Sequence, residues 1–158
     1  MILKIKPYII SILIALATGA LSALLTSGNM DLYSTIITPP LAPPAVLFPI
    51  VWTILYILMG ISAALIYNTQ NVAEHEKKTA LYIYAISLLF NFFWSIIFFN
   101  NRQFWFAFIW LLILWILIIL TIIKYYKINP VAAYLQIPYL LWVTFAAYLN
   151  FAIWYLNR

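Results

Sequence analysis

TPPLAPPAVLFPIVWTILYILMG, Thr38 to Gly60, crowds four prolines into six residues and then runs on as an apolar segment that keeps one more, Pro49. From Ala45 the run is apolar enough to begin a helix that crosses a bilayer, which takes about 20 such residues. The rest of the chain is of the same kind. Of its 158 residues, 68% are hydrophobic and 7% are charged, where a soluble domain is roughly half apolar and a quarter charged. One water-facing core cannot hide so much apolar side chain. The sequence therefore reads as a single-domain, all-α integral membrane protein.

Charges and turn residues cut the chain into five spans, a five-transmembrane-helix bundle: residues 5–26, 45–67, 79–99, 103–123 and 131–155. Residues 27–44 form a lid loop between the first two spans, and NTQNVAEHEKK (Asn68–Lys78) reads as the main charged loop. Runs such as Ile109–Ile123 do not alternate in polarity, which excludes a β-barrel. The first apolar run is about twice the length of a signal-peptide core, so it is expected to be a retained helix. Lys4, Lys6, Lys77, Lys78, Lys124 and Lys127 fall on one face of the bundle, and Arg102 and Arg158 on the other. Six against two places the N-terminus in the cytoplasm, with the lid loop and the C-terminus outside. The net charge of +5 is thus explained by orientation, and no nucleic-acid partner is expected.

The span interiors hold no Asp, Glu, Lys, Arg or His, which counts against an ion-coupled transporter. There is no cysteine, and the one histidine, His75, sits in the charged loop without a second ligand of its type. No metal site is expected. The polar residues of the core are Asn91, Ser95, Gln136, Thr144 and Asn150, suited to bonding helix to helix or to meeting a ligand. Ala15, Gly19 and Ala23 recur at every fourth position, as do Gly60 and Ala64, the pattern of close helix packing.

The prolines have a pattern too. Pro44 suits the first turn of a helix, where its missing N–H costs nothing. Pro49 removes one helical N–H and frees the carbonyl of Ala45, and Trp52 and Tyr56 follow on its face. The fifth span repeats the device with Pro138, Trp142, Phe145 and Ala146. Two helices, each with a proline followed by an inward aromatic, suggest a bowed cavity with aromatic walls.

These motifs carry a resemblance. PPLAPPAVLFPIVWTILYILMG, NFFWSIIFF (Asn91–Phe99) and PYLLWVTFAAYLN (Pro138–Asn150) resemble, in order and spacing, the second-, third- and fifth-helix motifs of the translocator protein family, also called tryptophan-rich sensory proteins or TspO/MBR. The resemblance implies a five-helix bundle with a pocket open toward the first loop. It implies binding of porphyrins (protoporphyrin IX and haem) or related hydrophobic small molecules, contact with membrane lipid, and homodimers. It implies porphyrin as ligand and no required cofactor. A bacterial plasma membrane is the expected location.

The candidate ligand-binding residues are Tyr33, Pro44, Phe48, Trp52, Tyr56, Asn91, Trp94, Trp110, Trp142, Phe145, Ala146 and Asn150; of these the resemblance carries over Tyr33, Trp52, Tyr56, Asn91, Trp94, Trp142 and Ala146. Trp110 stands where many relatives carry an acidic residue, and its indole is expected to narrow the pocket. The sterol-recognition pattern of animal members is broken, because Phe151 follows Leu149-Asn150 and Tyr155 takes the place of the basic residue. Specific cholesterol binding is not expected. The spans offer no Ser-His-Asp set and no carboxylate pair, so acid–base catalysis is not expected. Any enzymatic role is left to porphyrin photochemistry at Trp52 and Trp142. A packing protein with no small-molecule ligand is the remaining alternative.

Overall fold

The computed structural model describes residues 4–158. Five long helices run through it: α1 Ile5–Thr26, α3 Leu47–Asn68, α4 Glu74–Ser95, α5 Phe104–Ile128 and α6 Pro130–Leu156. A short α2, Leu32–Thr35, lies in the lid between α1 and α3, preceded by one 3₁₀ turn at Ser27–Asn29. There is no strand among the described residues. Each long helix, α4 with its π-helical extension Ile96–Asn100, is long and apolar enough to span a membrane. The chain is an all-α integral membrane protein.

Helix α1 packs on α3 and α4, α3 on α6, and α5 on α4 and α6. The helices therefore close a ring in the order α1, α3, α6, α5, α4. Large apolar side chains on the outside of this ring stay exposed, among them Leu13 and Leu24 of α1, Ile54 of α3, Ile116 of α5 and Leu141 of α6. In a bilayer these face lipid, and bundle contacts rest on close packing and hydrogen bonds instead of water exclusion. Gly60 shows the closeness: a Cβ there would lie 2.5 Å from the Ile12 backbone, so α3 meets α1 only because the position is glycine.

The helix ends differ from the spans read in sequence. Helix α4 begins inside the charged run, at Glu74, because Glu74 and Glu76 fit the positive end of a helix. Helix α5 runs through Lys124 and Lys127 to Ile128, and Asn129 alone joins it to α6. The Asn129 side chain accepts from the Val131 N–H at 3.1 Å, with Pro130 at the first helical position. Helix α3 starts at Leu47, so Pro44 lies before it and not in its first turn. The Pro44 and Ala45 carbonyls accept from the N–H groups of Leu47 and Phe48. Pro49 thus falls within the first turn, where its N–H would have no intrahelical partner, and the Ala45 carbonyl is already satisfied.

The half of the bundle away from the lid is solid. Ala15, Met59, Ile66, Ala80, Ile118, Tyr125, Ala132 and Val143 belong to one buried cluster. There Ser62 donates to the Ala132 carbonyl at 2.7 Å and receives from Gln136 at 3.2 Å, tying α3 to α6. The lysines share this end. The Asn68 amide donates to the Lys4 carbonyl, Asn129 to the Thr69 hydroxyl, and Lys77 to the Thr69 carbonyl.

Candidate functional site

Toward the lid the ring opens into a cavity of about 750 Å³. Its walls are the second half of α1, the first half of α3, the end of α4 with the π turn, and the second half of α6. The lid adds Met30 and Tyr33. Helix α5 adds nothing, since it packs behind α4 and α6.

The aromatic wall is built in two arms. In one, Trp52 stacks on Tyr56 with ring centroids 5.5 Å apart and meets Tyr139 edge-on at 6.2 Å. In the other, Tyr33 meets Phe48 edge-on at 5.4 Å, and Phe48 meets Trp142 at 5.9 Å. The two arms follow one another along the bundle, because Phe48 and Trp52 are one turn apart on α3, Trp142 and Tyr139 about one turn apart on α6, and α3 lies against α6. On α4, the π turn carries Phe98 and Phe99 to the cavity, with Phe98 stacked on Trp94 at 5.1 Å. One-turn π segments often mark functional sites.

The cavity has a polar floor. The Tyr56 hydroxyl donates to Asn91 Oδ1 at 2.9 Å, and Asn91 Nδ2 donates to the Tyr139 hydroxyl at 2.8 Å. Trp94 Nε1 donates to Asn150 Oδ1 at 3.0 Å, and Asn150 Nδ2 donates to the Phe104 carbonyl at 2.9 Å. Asn91 and Asn150 therefore bond helix to helix and also line the cavity. On α1, Ser22 donates to the Phe92 carbonyl and Thr26 to the Ser22 carbonyl. Trp142 differs: its indole N–H is buried and has no hydrogen-bond partner among the described residues. No Asp, Glu, Lys, Arg or His lines the cavity.

The matching family model, TspO/MBR family, covers residues 11–156. The chain belongs to the TspO/MBR family. Among the relatives of this TspO/MBR chain is the tryptophan-rich protein TspO of Chlorobaculum tepidum, 39% identical over 79% of this chain and 78% of that protein. The translocator protein of Ovis aries is 34% identical over 80% of this chain and 75% of its own length. The tryptophan-rich protein TspO of Archaeoglobus fulgidus is 33% identical over 98% and 99%. The likeness thus runs through the whole bundle, lid included.

In this TspO/MBR chain, Tyr33, Phe48, Trp52, Tyr56, Asn91, Trp94, Trp142, Ala146 and Asn150 converge on the cavity. Three of the sequence candidates do not. Trp110 sits on α5, stacks on Phe90 at 4.2 Å and donates to the Phe90 carbonyl at 2.7 Å, so it narrows nothing. Phe145 lies at the edge of the α6 stripe formed by Trp142, Ala146, Leu149, Asn150 and Ile153, and packs between Trp142 and Tyr148. Pro44 is exposed in the turn before α3.

The sequence reading missed the α1 wall. The small-residue spacing of Gly19 and Ala23 predicts a packing face, yet Leu16, Gly19, Ala20, Ser22, Ala23 and Thr26 all border the cavity. Gly19 does both jobs, since a Cβ there would overlap the Tyr56 ring. The available signal was Ser22 and Thr26, two hydroxyls on the same side as the small residues.

Proposed function

We propose that this chain is a membrane receptor or sensor that binds porphyrins, protoporphyrin IX above all, and related flat hydrophobic molecules in the lid-side cavity. The observation that carries the reading is the cavity itself: about 750 Å³, within the roughly 300–1,000 Å³ usual for small-molecule sites, walled by Trp52, Tyr56, Trp94, Phe98 and Trp142. Flat rings gain about 0.5–1.5 kcal/mol per aromatic pair beyond area burial. The propionates find no cation in the lining. Arg158 lies over the Tyr155 ring at 4.3 Å and does not border the cavity, nor does Arg102. The carboxylates should therefore point out of the mouth into water. The role we propose for such a site is in tetrapyrrole transport or regulation.

No iron ligation is expected in this recognition. Of the usual haem ligands, His, Cys, Met and Tyr, the cavity lining holds Met30, Tyr33 and Tyr56, and both phenols are engaged, Tyr33 with the Pro43 carbonyl and Tyr56 with Asn91. The one histidine borders a separate cleft at the lysine-bearing end, with Glu76, Lys124 and Lys127. Iron(III) and metal-free protoporphyrin should bind within about threefold of each other. Titration of the protein in lipid discs, read by tryptophan quenching, tests the proposal. Saturable binding of one ring per chain is expected. Quenching that rises linearly, as in empty discs, would leave a packing protein. Much tighter haem binding with a low-spin spectrum would overturn the no-ligation argument.

A second reading is favoured by the free N–H of Trp142 and the Trp52–Tyr56 stack: light-driven breakdown of the bound porphyrin at these indoles. Product analysis after illumination separates it from binding alone. We further place the chain in a bacterial plasma membrane with its lysine-rich end in the cytoplasm. A tag after Arg158 should then be reached from outside intact cells and a tag at Met1 should not.

A further inference from the structure

We propose that Tyr148 of α6 and Asn157, the residue that caps its C-terminal end, latch the lid over the cavity and so set how fast ligand enters and leaves. The ligand half of this statement rests on the porphyrin-site reading above; the latch does not. Lid segment 36–43 is poor in hydrogen bonds of its own, because Pro39, Pro40 and Pro43 have no N–H to give. Its bonds to the rest of the bundle come from two side chains. Asn157 acts as a one-residue strand partner: Oδ1 accepts from the Ile37 N–H at 2.9 Å, and Nδ2 donates to the Ile37 carbonyl at 2.8 Å. The Tyr148 hydroxyl donates to the Pro40 carbonyl at 2.8 Å. Inside the lid, Tyr33 donates to the Pro43 carbonyl at 3.0 Å, which joins the cavity wall to the same segment.

The closed lid is also held against strain. Leu41, next to Pro40, has φ 70° and is 81% exposed. A leucine gains no packing there and pays for a left-handed backbone. Freed from the latch, the segment can relax. Leu32, Tyr33 and Ile36 of the lid pack on the cluster of Ile97, Phe98, Ala107 and Ile153 in the bundle beneath, so lifting the lid from residue 32 to 43 uncovers Ile153 and the cavity mouth.

The chain has no native cysteine, which allows a clean test. Ile153→Cys places one thiol 2% exposed beneath the lid. Its labelling by a bulky sulfonated maleimide, without ligand, reports lid opening. In the Asn157→Ala/Tyr148→Phe background, labelling should speed up about tenfold or more, the factor that corresponds to about 1.4 kcal/mol. Asn157→Asp keeps the acceptor for the Ile37 N–H but loses the donor, and should fall between. Both positions are at the helix surface, and unchanged melting would show that the fold persists. In the protein without the cysteine, protoporphyrin IX dissociation should quicken in the same order, with affinity changed by less than about threefold because entry quickens too. Labelling unchanged within about twofold would overturn the latch even if porphyrin binds. Faster labelling together with no saturable porphyrin binding by the unaltered chain would keep the latch and sink the porphyrin reading.

Discussion

Asn91 is the residue on which the cavity floor turns. Its amide takes one bond from Tyr56 and gives one to Tyr139, so that three helices meet at one side chain. Asn91→Ala would strand two buried phenols. The expected loss is about 1–3 kcal/mol, read as a lower melting temperature in lipid discs, with porphyrin affinity falling as Tyr56 and Trp52 lose their seat. Trp142 makes the opposite case, because its N–H bonds nothing among the described residues. Trp142→Phe should leave stability within about 0.5 kcal/mol and weaken porphyrin binding only modestly. If indole oxidation is part of a photoreaction, the same variant should bind yet lose illuminated product. Tyr33 supplies a pH test. Partial burial pushes its phenol above the ordinary value, which is about 10. The raised group keeps its proton below that value, so its bond to Pro43 is present throughout the neutral range. It is lost only as pH climbs through the raised folded value. Lid opening, measured by thiol labelling, should thus be flat from about pH 6 to 9 once corrected for thiol ionisation. Tyr33→Phe should speed it at every pH.

At the scale of the element, two glycines separate a helix contact from open space. Gly60→Ala drives a methyl into the Ile12 backbone, which cannot give way, so α1 and α3 must part at a cost of about 1–3 kcal/mol. Gly28→Ala meets nothing within 4 Å and should be neutral. A thermal melt of the pair checks both. What could be read of these elements in the sequence follows from physics. The five spans were legible because hydropathy reports the bilayer directly. Their ends were not, because hydropathy marks where lipid stops and a helix goes on into water: Glu74 opens α4 and Lys127 lies in its last turn on α5. The proline-and-tryptophan pairing found the α3 and α6 walls. The α1 wall was illegible because small residues serve close packing and open space alike. Gly19 and Ala23 border the cavity, while Ala15, one turn earlier, is buried in the solid half. Trp110 misled for a related reason, since an aromatic inside a span does not tell which neighbour it faces.

Across the whole molecule, the bundle is divided along its axis. The lysine-bearing end is filled by the Met59, Ile66, Ile118 and Tyr125 cluster, and the lid end is hollow. Such a division suits a receptor, because the solid half keeps the five helices in register while the hollow half and its lid respond to ligand. It puts the candidate site between α1, α3, α4 and α6. The most direct test of that location is to fill the cavity. Ala146 lies on its α6 wall, partly buried where the cavity meets the packed core. Ala146→Trp should leave melting near that of the unaltered chain and reduce protoporphyrin IX affinity more than about tenfold, measured by equilibrium titration in lipid discs. A folded Ala146→Trp protein that binds protoporphyrin IX with unaltered affinity and stoichiometry would contradict the account and place the ligand elsewhere.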